Sequence, residues 1–355
     1  MKLLIQPDAG VAPILAAIRH AKKSIEIAIF RFDRAEIEAG LKAAVTRGVA
    51  VSAIIAYTNR GGEIKLRKLE MQLLEVGVVV SRTASDLVRY HDKLMIVDRR
   101  DLYVLSFNFT HLDIDHSRGF GIVTRNVKSV QEAAKLFEAD TLRQPYKAGL
   151  DTFVVSPVNA RKVIAALLRK ANHQLLIYDP QIDDLEMKSI LLDRAKAGVE
   201  VKVIGRVKGD KLGIEVKSLA GLRLHTRTII VDGRYAFVGS QSLRSAELDS
   251  RREVGLIVNE AKVVKGLRQT FDEDWARPNV EANPALAVKP KVLKALVKEL
   301  SSLNPLVEEA VKQVAAESAS PALDLGAVKA TVKEAVKEVV RERMEEIVKD
   351  TAAKP

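Results

Sequence analysis

Apolar residues recur along this chain with two alternating periods. Leu3 to Ile5 is a short apolar run, Val11 to Lys22 sets Ile14, Leu15 and Ile18 at helical spacing, and Ser24 to Phe32 alternates as a strand. Ala35 to Thr46 reads as a helix closed by Arg47-Gly48, where glycine takes the left-handed turn that ends a helix. Val49 to Ala56 is the next strand. This strand–helix–strand succession predicts parallel pairing within an α/β sandwich. The succession restarts at Phe153: Pro157, Ile164, Ala171 and Gly198-Val199 follow Pro7, Ile14, Ala21 and Gly48-Val49 by 150 positions. Units of this size are domains rather than solenoid repeats.

A second echo is sharper. Tyr90-His91-Asp92-Lys93-Leu94-Met95-Ile96-Val97-Asp98 returns 134 positions later as Leu224-His225-Thr226-Arg227-Thr228-Ile229-Ile230-Val231-Asp232. The apolar, β-branched segments Leu94 to Val97 and Thr228 to Val231 predict buried strands. Residues two apart share a strand face, so His91 should point with Lys93, and His225 with Arg227. A base and a cation are costly on an apolar strand unless they act together or are paired. Ser106 and Ser240, and Arg118 and Arg252, keep the same offset of 134. The offset drops from 150 because residues 57–90 correspond to the shorter 207–224. The unit is duplicated, and two histidines from related halves could face one another across a seam.

Those residue types suit phosphodiester cleavage. That reaction needs cations for the non-bridging oxygens, a nucleophile, and an acid for the leaving oxygen. Histidine serves as nucleophile or proton donor near neutrality. Lys93 and Arg227 could hold phosphate oxygens, Arg227 with a planar, two-pronged contact. Ser106, Asn108, Ser240 and Ser242 are candidate neutral donors, and preset donors favour the more charged transition state. None of these roles requires a metal or other cofactor. His111, Asp113, Asp115 and His116 have the donor types of a metal loop, but their polarity and position between strands predict a solvated loop.

The paired motif resembles the phospholipase D superfamily, whose signature is His-x-Lys, four residues and Asp, then Gly-Ser-x-Asn and a carboxylate. The resemblance spans residues 1 to about 275. The first copy keeps His91, Lys93, Asp98, Ser106 and Asn108, with Leu105 in place of glycine and Gly119 opposite Glu253. The second keeps His225, Asp232, Gly239, Ser240 and Glu253, with Arg227 for lysine and Ser242 for asparagine. The resemblance implies an α/β fold of two fused α/β/α sandwich repeats related by a pseudo-twofold, over 1–149 and 150–275. It implies that Glu253 orients His91 as nucleophile, that a phosphohistidine forms, and that His225 is the acid. On the same basis Gly119 leaves His225 without an orienter, Leu105 threatens to crowd the phosphate, and Asp98 and Asp232 brace the fold. The implied function is a metal-independent phosphodiesterase or transferase, with phospholipid as the first substrate. A nuclease is the alternative within enzymes, and a degenerate phosphate or nucleic-acid binder the alternative outside them.

Composition narrows this further. Cysteine is absent, which excludes disulfides and thiolate chemistry and fits a reducing cytoplasm. No run of about 20 apolar residues offers a membrane span, and the N-terminal apolar run is too short for a signal peptide. Both predict a soluble protein and disfavour a cardiolipin-synthase-like role. The net charge is +11, and residues 276–355 carry 13 Lys+Arg against 12 Asp+Glu, so the excess lies on the body. A basic body attracts phosphodiesters and anionic surfaces, and also serves solubility. Arg60-Gly61-Gly62 with Lys65, Arg67 and Lys68 predicts a solvated amphipathic helix beside the cleft. After Pro278, Pro284 and Pro290, residues 276–355 predict a linker and amphipathic helices (Val292, Leu293, Leu296, Val297, Leu300; then Val332 to Val348) that dock on the body or self-associate.

Overall fold

In the first half the order is β1 (Lys2–Gln6), α1 (Ala12–His20), β2 (Ser24–Ala28), α2 (Ala35–Thr46), β3 (Ala50–Ile55), α3 (Ile64–Glu75), β4 (Val79–Arg82), β5 (Arg89–Tyr90), β6 (Leu94–Val97), β7 (Asp101–Leu105), α4 (His111–Asp115), β8 (Ser117–Thr124) and α5 (Val127–Thr141). The second half repeats it, with no described helix equivalent to α3, as β9 (Phe153–Ser156), α6 (Ala160–Arg169), β10 (Gln174–Ile182), α7 (Leu185–Lys196), β11 (Glu200–Val207), β12 (Ile214–Lys217), β13 (Arg223–Leu224), β14 (Arg227–Val231), β15 (Tyr235–Gly239), α8 (Ser245–Asp249), β16 (Arg251–Val258) and α9 (Ala261–Ala276). This computed structural model describes residues 1–57, 64–209 and 213–277. Arg60-Gly61-Gly62, the Lys65 side chain and the apolar stripes of the tail lie outside the described residues.

The two sheets have one topology. The first runs β1-β8-β7-β6-β2-β3-β4, and the second, read from the equivalent edge, β9-β16-β15-β14-β10-β11-β12. Only part of each is parallel. β2, β3 and β4 pair in parallel, as do β10, β11 and β12, whereas the motif strands β6 and β14 run antiparallel to both neighbours. Gly48 and Gly198, at φ of +83° and +86°, follow α2 and α7 in the left-handed region, which costs glycine little. β2 stops at Ala28, short of the predicted Phe32.

Two-residue alternation sorts the side chains of each strand. Leu94 and Ile96 enter a central apolar layer that also takes Ile230, Val238 and Leu256 from the second half, with Phe137 of α5 and Phe271 of α9. Met95 and Val97 face the other way, into a cluster with Ile14 of α1 and Leu41 of α2. A matching cluster joins Ile229 and Val231 to Ile164 of α6 and Leu191 of α7. The halves therefore share one interior layer, and both belong to one compact unit.

Candidate active site

Each motif histidine is delivered onto the opposite half. β5, of the first half, adds in parallel to β16, with Arg252 opposite Tyr90, and the His91 N–H donates to the Arg252 carbonyl at 2.8 Å. Reciprocally, β13 adds to β8, with Leu224 opposite Arg118, and the His225 N–H donates to the Arg118 carbonyl at 3.2 Å. The same arginines clamp the crossing with their side chains. Arg118 donates to Asp274 at 2.8 and 3.0 Å and to the Gln6 carbonyl at 2.8 Å. Arg252 donates to Asp140 at 3.0 and 2.9 Å and to the Ser156 carbonyl at 3.1 Å. All four charged groups are buried. Asp140 and Asp274 also stand 134 apart, a signal within reach of the sequence.

His91 and Lys93 lie just before β6 rather than on it, yet they meet. Lys93 Nζ donates to the His91 carbonyl at 2.7 Å and stands 3.2 Å from both ring nitrogens. The Phe30 ring packs edge-on at 4.8 Å. Both carboxylate oxygens of fully buried Glu253 are 3.0 Å from His91 Nδ1. Burial, reinforced by Lys93, holds the His91 imidazole well below its ordinary value, so it is neutral at pH 7. Burial lowers Lys93 to about 8 against the pull of Glu253, and raises Glu253 to about 7 against the pull of Lys93.

The second motif has the same outline with different groups. Arg227 Nη1 donates to the His225 carbonyl at 2.9 Å, and its Nε donates to Ser242 Oγ at 3.3 Å. Burial lowers His225 well below its ordinary value, against the opposing pull of Asp113. Arg227 and Lys93 both act on both imidazoles, so the two motifs share one electrostatic site.

Asp113 corrects the expected solvated loop. Residues 111–115 form α4, with Thr110 as its N-cap, and Asp113 is only 3% exposed. Its Oδ2 lies 3.4 Å from His225 Nδ1, without hydrogen-bond alignment. The same oxygen accepts from the Asn108 backbone at 2.8 Å and from Asn108 Nδ2 at 2.7 Å, while Oδ1 accepts from Arg223 at 2.7 Å. Burial works against this carboxylate, but His225, Arg223 and the Asn108 donors outweigh it and hold it at about 2. His111 is exposed and Asp115 pairs with Arg34. Among the described residues, no three His, Asp or Glu side chains form a group able to hold a metal.

The remaining motif residues face the scaffold. Ser106 Oγ accepts from the Phe120 N–H at 2.9 Å, and Ser240 Oγ accepts from the Val254 N–H at 3.1 Å. Asn108 Oδ1 accepts from the Arg31 N–H at 3.2 Å. Asp98 accepts from the backbone of Lys22, Lys23 and Ser24, and Asp232 from that of Asn172, His173 and Gln174. Leu105 packs with Leu4 and Phe107 in the first half's outer cluster, where a Cβ on Gly121 would come within 2.7 Å of its Cδ2. In the second half the Phe237 ring fills the corresponding place over Gly255, and Gly239 is left without a side chain.

Two sandwich repeats, each contributing a histidine and a cation to one buried junction, define a phosphodiester-acting enzyme of the phospholipase D type. The chain belongs to the family described as "Cardiolipin synthase, PLD-like domain", which matches residues 14–141 and 164–275. Cardiolipin synthase 1 of Bacillus anthracis is 20% identical over 368 aligned positions, covering 85% of this chain and 72% of the relative. That of Bacillus cereus is 21% identical over the same shares. Among solved structures, a polyphosphate kinase from Porphyromonas gingivalis superposes with a TM-score of 0.64 at 19% identity, over 77% of this chain. This chain spans 50% of that kinase's length. A phosphatidylserine synthase from Haemophilus influenzae gives 0.58 at 11% identity, over 86% of this chain and 93% of its own. At these identities the two structures speak for the fold alone. No described helix is long and apolar enough to cross a membrane, which does not separate the chain from its cardiolipin synthase relatives.

Proposed function

We propose that the protein cleaves a phosphodiester by transferring its phosphorus to His91, and that the substrate is a phospholipid. The observation that carries this is the pair of buried imidazoles, each with Nδ1 facing a carboxylate and each under the influence of both Lys93 and Arg227. Ionised Glu253 accepts the Nδ1–H of His91 and so puts the attacking lone pair on Nε2, with Lys93 Nζ 3.2 Å away to turn to the phosphate oxygens. Lys93 and Arg227 offset charge on the non-bridging oxygens. The incoming anion favours protonated His225, which gives its Nε2 proton to the leaving alcohol as the bond from phosphorus to that oxygen breaks. His225 then takes a proton from water or a second alcohol, whose oxygen attacks phosphorus as the P–N bond to His91 breaks. No step uses a metal. The names of the curated relatives favour phospholipid and transfer to an alcohol, and the basic body favours an anionic surface.

The test incubates the purified protein, in excess EDTA, with phosphatidylglycerol vesicles and separately with single-stranded DNA, with His91→Ala as control. Headgroup release or exchange that disappears in the variant is expected. His91-dependent cleavage of DNA alone would move the substrate to nucleic acid. Binding of inorganic phosphate with no turnover of either substrate would leave a binding protein, and complete, reversible loss in EDTA would overturn the metal-free mechanism.

A further inference from the structure

We infer that Asp113 positions His225 as Glu253 positions His91, so that the second imidazole is held from helix α4 instead of strand β8. The inference rests on the phosphodiesterase reading and adds to it the residue that the motif pattern leaves blank.

The expected place for that carboxylate is closed. Gly119 stands 134 positions before Glu253, and Phe107 stands 134 before Gln241. A Cβ on Gly119 would meet Phe107 Cδ1 at 3.0 Å and Phe107 Cβ at 3.2 Å. The phenylalanine ring therefore occupies volume that a longer residue on β8 would need, and the pair Phe107/Gly119 replaces the pair Gln241/Glu253.

His225 still needs a partner. Its Nδ1 is buried and makes no aligned hydrogen bond, and Asp113 Oδ2 stands 3.4 Å away. The charged groups acting most strongly on this imidazole are Asp113, Arg227, Arg223 and Lys93, and of these Asp113 alone is anionic. The carboxylate is itself fixed by Thr110 on its backbone N–H, by two Asn108 donors and by Arg223. Such contacts are commonly long in an empty site and tighten when the reacting complex forms. The arriving phosphodiester anion favours uptake of a solvent proton by His225, and the resulting imidazolium is drawn onto the carboxylate. Asn108 then serves as a brace for Asp113, because one of its amide protons is already committed there. Glu247, at the position equivalent to Asp113, turns to the cation instead: its Oε2 accepts from the Ser242 N–H at 2.8 Å and lies 3.9 Å from Arg227 Nε.

The experiment compares wild type, Asp113→Ala, Asp113→Asn, and Asp113→Ala carrying the transplanted pair Phe107→Gln/Gly119→Glu. Imidazole 15N shifts report the His225 tautomer without any turnover, so this result stands apart from the choice of substrate. Wild type should hold the proton on Nδ1, Asp113→Ala should lose that preference, and the transplanted pair should restore it. In turnover, Asp113→Ala should lower kcat about 100-fold with KM little changed, and the transplant should recover at least about tenfold. A folded Asp113→Ala protein with the wild-type tautomer and kcat within about twofold would overturn the inference. If alanine prevents folding, Asp113→Asn decides: it keeps the oxygen and removes the charge, so the His225 pKa should fall, and an unchanged pKa overturns the inference.

Discussion

On one side of the pseudo-twofold Arg118 grips Asp274, and on the other Arg252 grips Asp140, with N–O distances that agree to within 0.2 Å. The groups around the two histidines match far less well. Glu253 faces one imidazole, whereas Gly119, packed against Phe107, leaves the other to Asp113. Lys93 answers to Arg227, Asn108 to Ser242 and Asp92 to Thr226. The difference follows from what each set must do. The crossing occurs twice and has the same geometry both times, so both copies need the same clamp. On the proposed mechanism the two imidazoles do different chemistry, one forming a bond to phosphorus and one moving a proton, which leaves their surroundings free to diverge.

The largest effect should separate the histidines. His91→Ala is expected to lower turnover by about 10⁴-fold or more on any phosphodiester, because no other nucleophile is placed there. His225→Ala should cost about 10²- to 10⁴-fold with an alcohol leaving group but little with p-nitrophenolate, which departs without an acid. The reverse pattern would exchange the two roles.

The clamps come next. Removing one partner of a buried, bidentate pair leaves a charge without its counter-ion, so Arg252→Met should destabilise the fold by about 3–5 kcal/mol in urea melts. Arg118→Met should match it to within about 1 kcal/mol, since the partners and distances are equivalent. A large disparity would mean that the framework is less symmetric than its geometry.

The smallest effects distinguish the two carboxylates by pH. Glu253 must be ionised to hold His91 and Lys93 must stay protonated, so kcat/KM should rise through about 7 and fall above about 8. Because the folded pKa of Glu253 is raised, its contribution to stability is present at low pH and lost as pH rises through about 7. Glu253→Gln, though impaired in turnover, should therefore gain thermal stability relative to wild type at pH 8 and much less at pH 5. Asp113 has the opposite sign: its pKa is depressed to about 2, so its contribution is present at neutral pH and lost only on acidification toward that value. Melting curves of Glu253→Gln and Asp113→Asn across this range check both signs.

Much of this was legible in the sequence because a constant offset is a long-range signal. The offset of 134 paired His91 with His225, Lys93 with Arg227 and Gly119 with Glu253 before any contact was visible. The parts it did not reveal have physical reasons. β5 and β13 are two residues long, too short to carry a period, so their exchange between halves left no pattern. Asp113 was hidden by its neighbours: exposed His111 and His116 made the whole run look solvated, although the turn of α4 buries the middle residue. Leu105 packs opposite Gly121 on the next strand, a complementarity that a linear pattern does not display. The 134-residue spacing of Asp140 and Asp274 was available, but nothing in a linear pattern said that each would cross to the other copy's arginine.

The exchanged strands make competence a property of the assembled pair of halves. Neither repeat can position its own histidine, since the peptide that carries it is hydrogen-bonded to the neighbour's sheet. A chain whose halves are undocked or misdocked therefore has neither motif histidine in place.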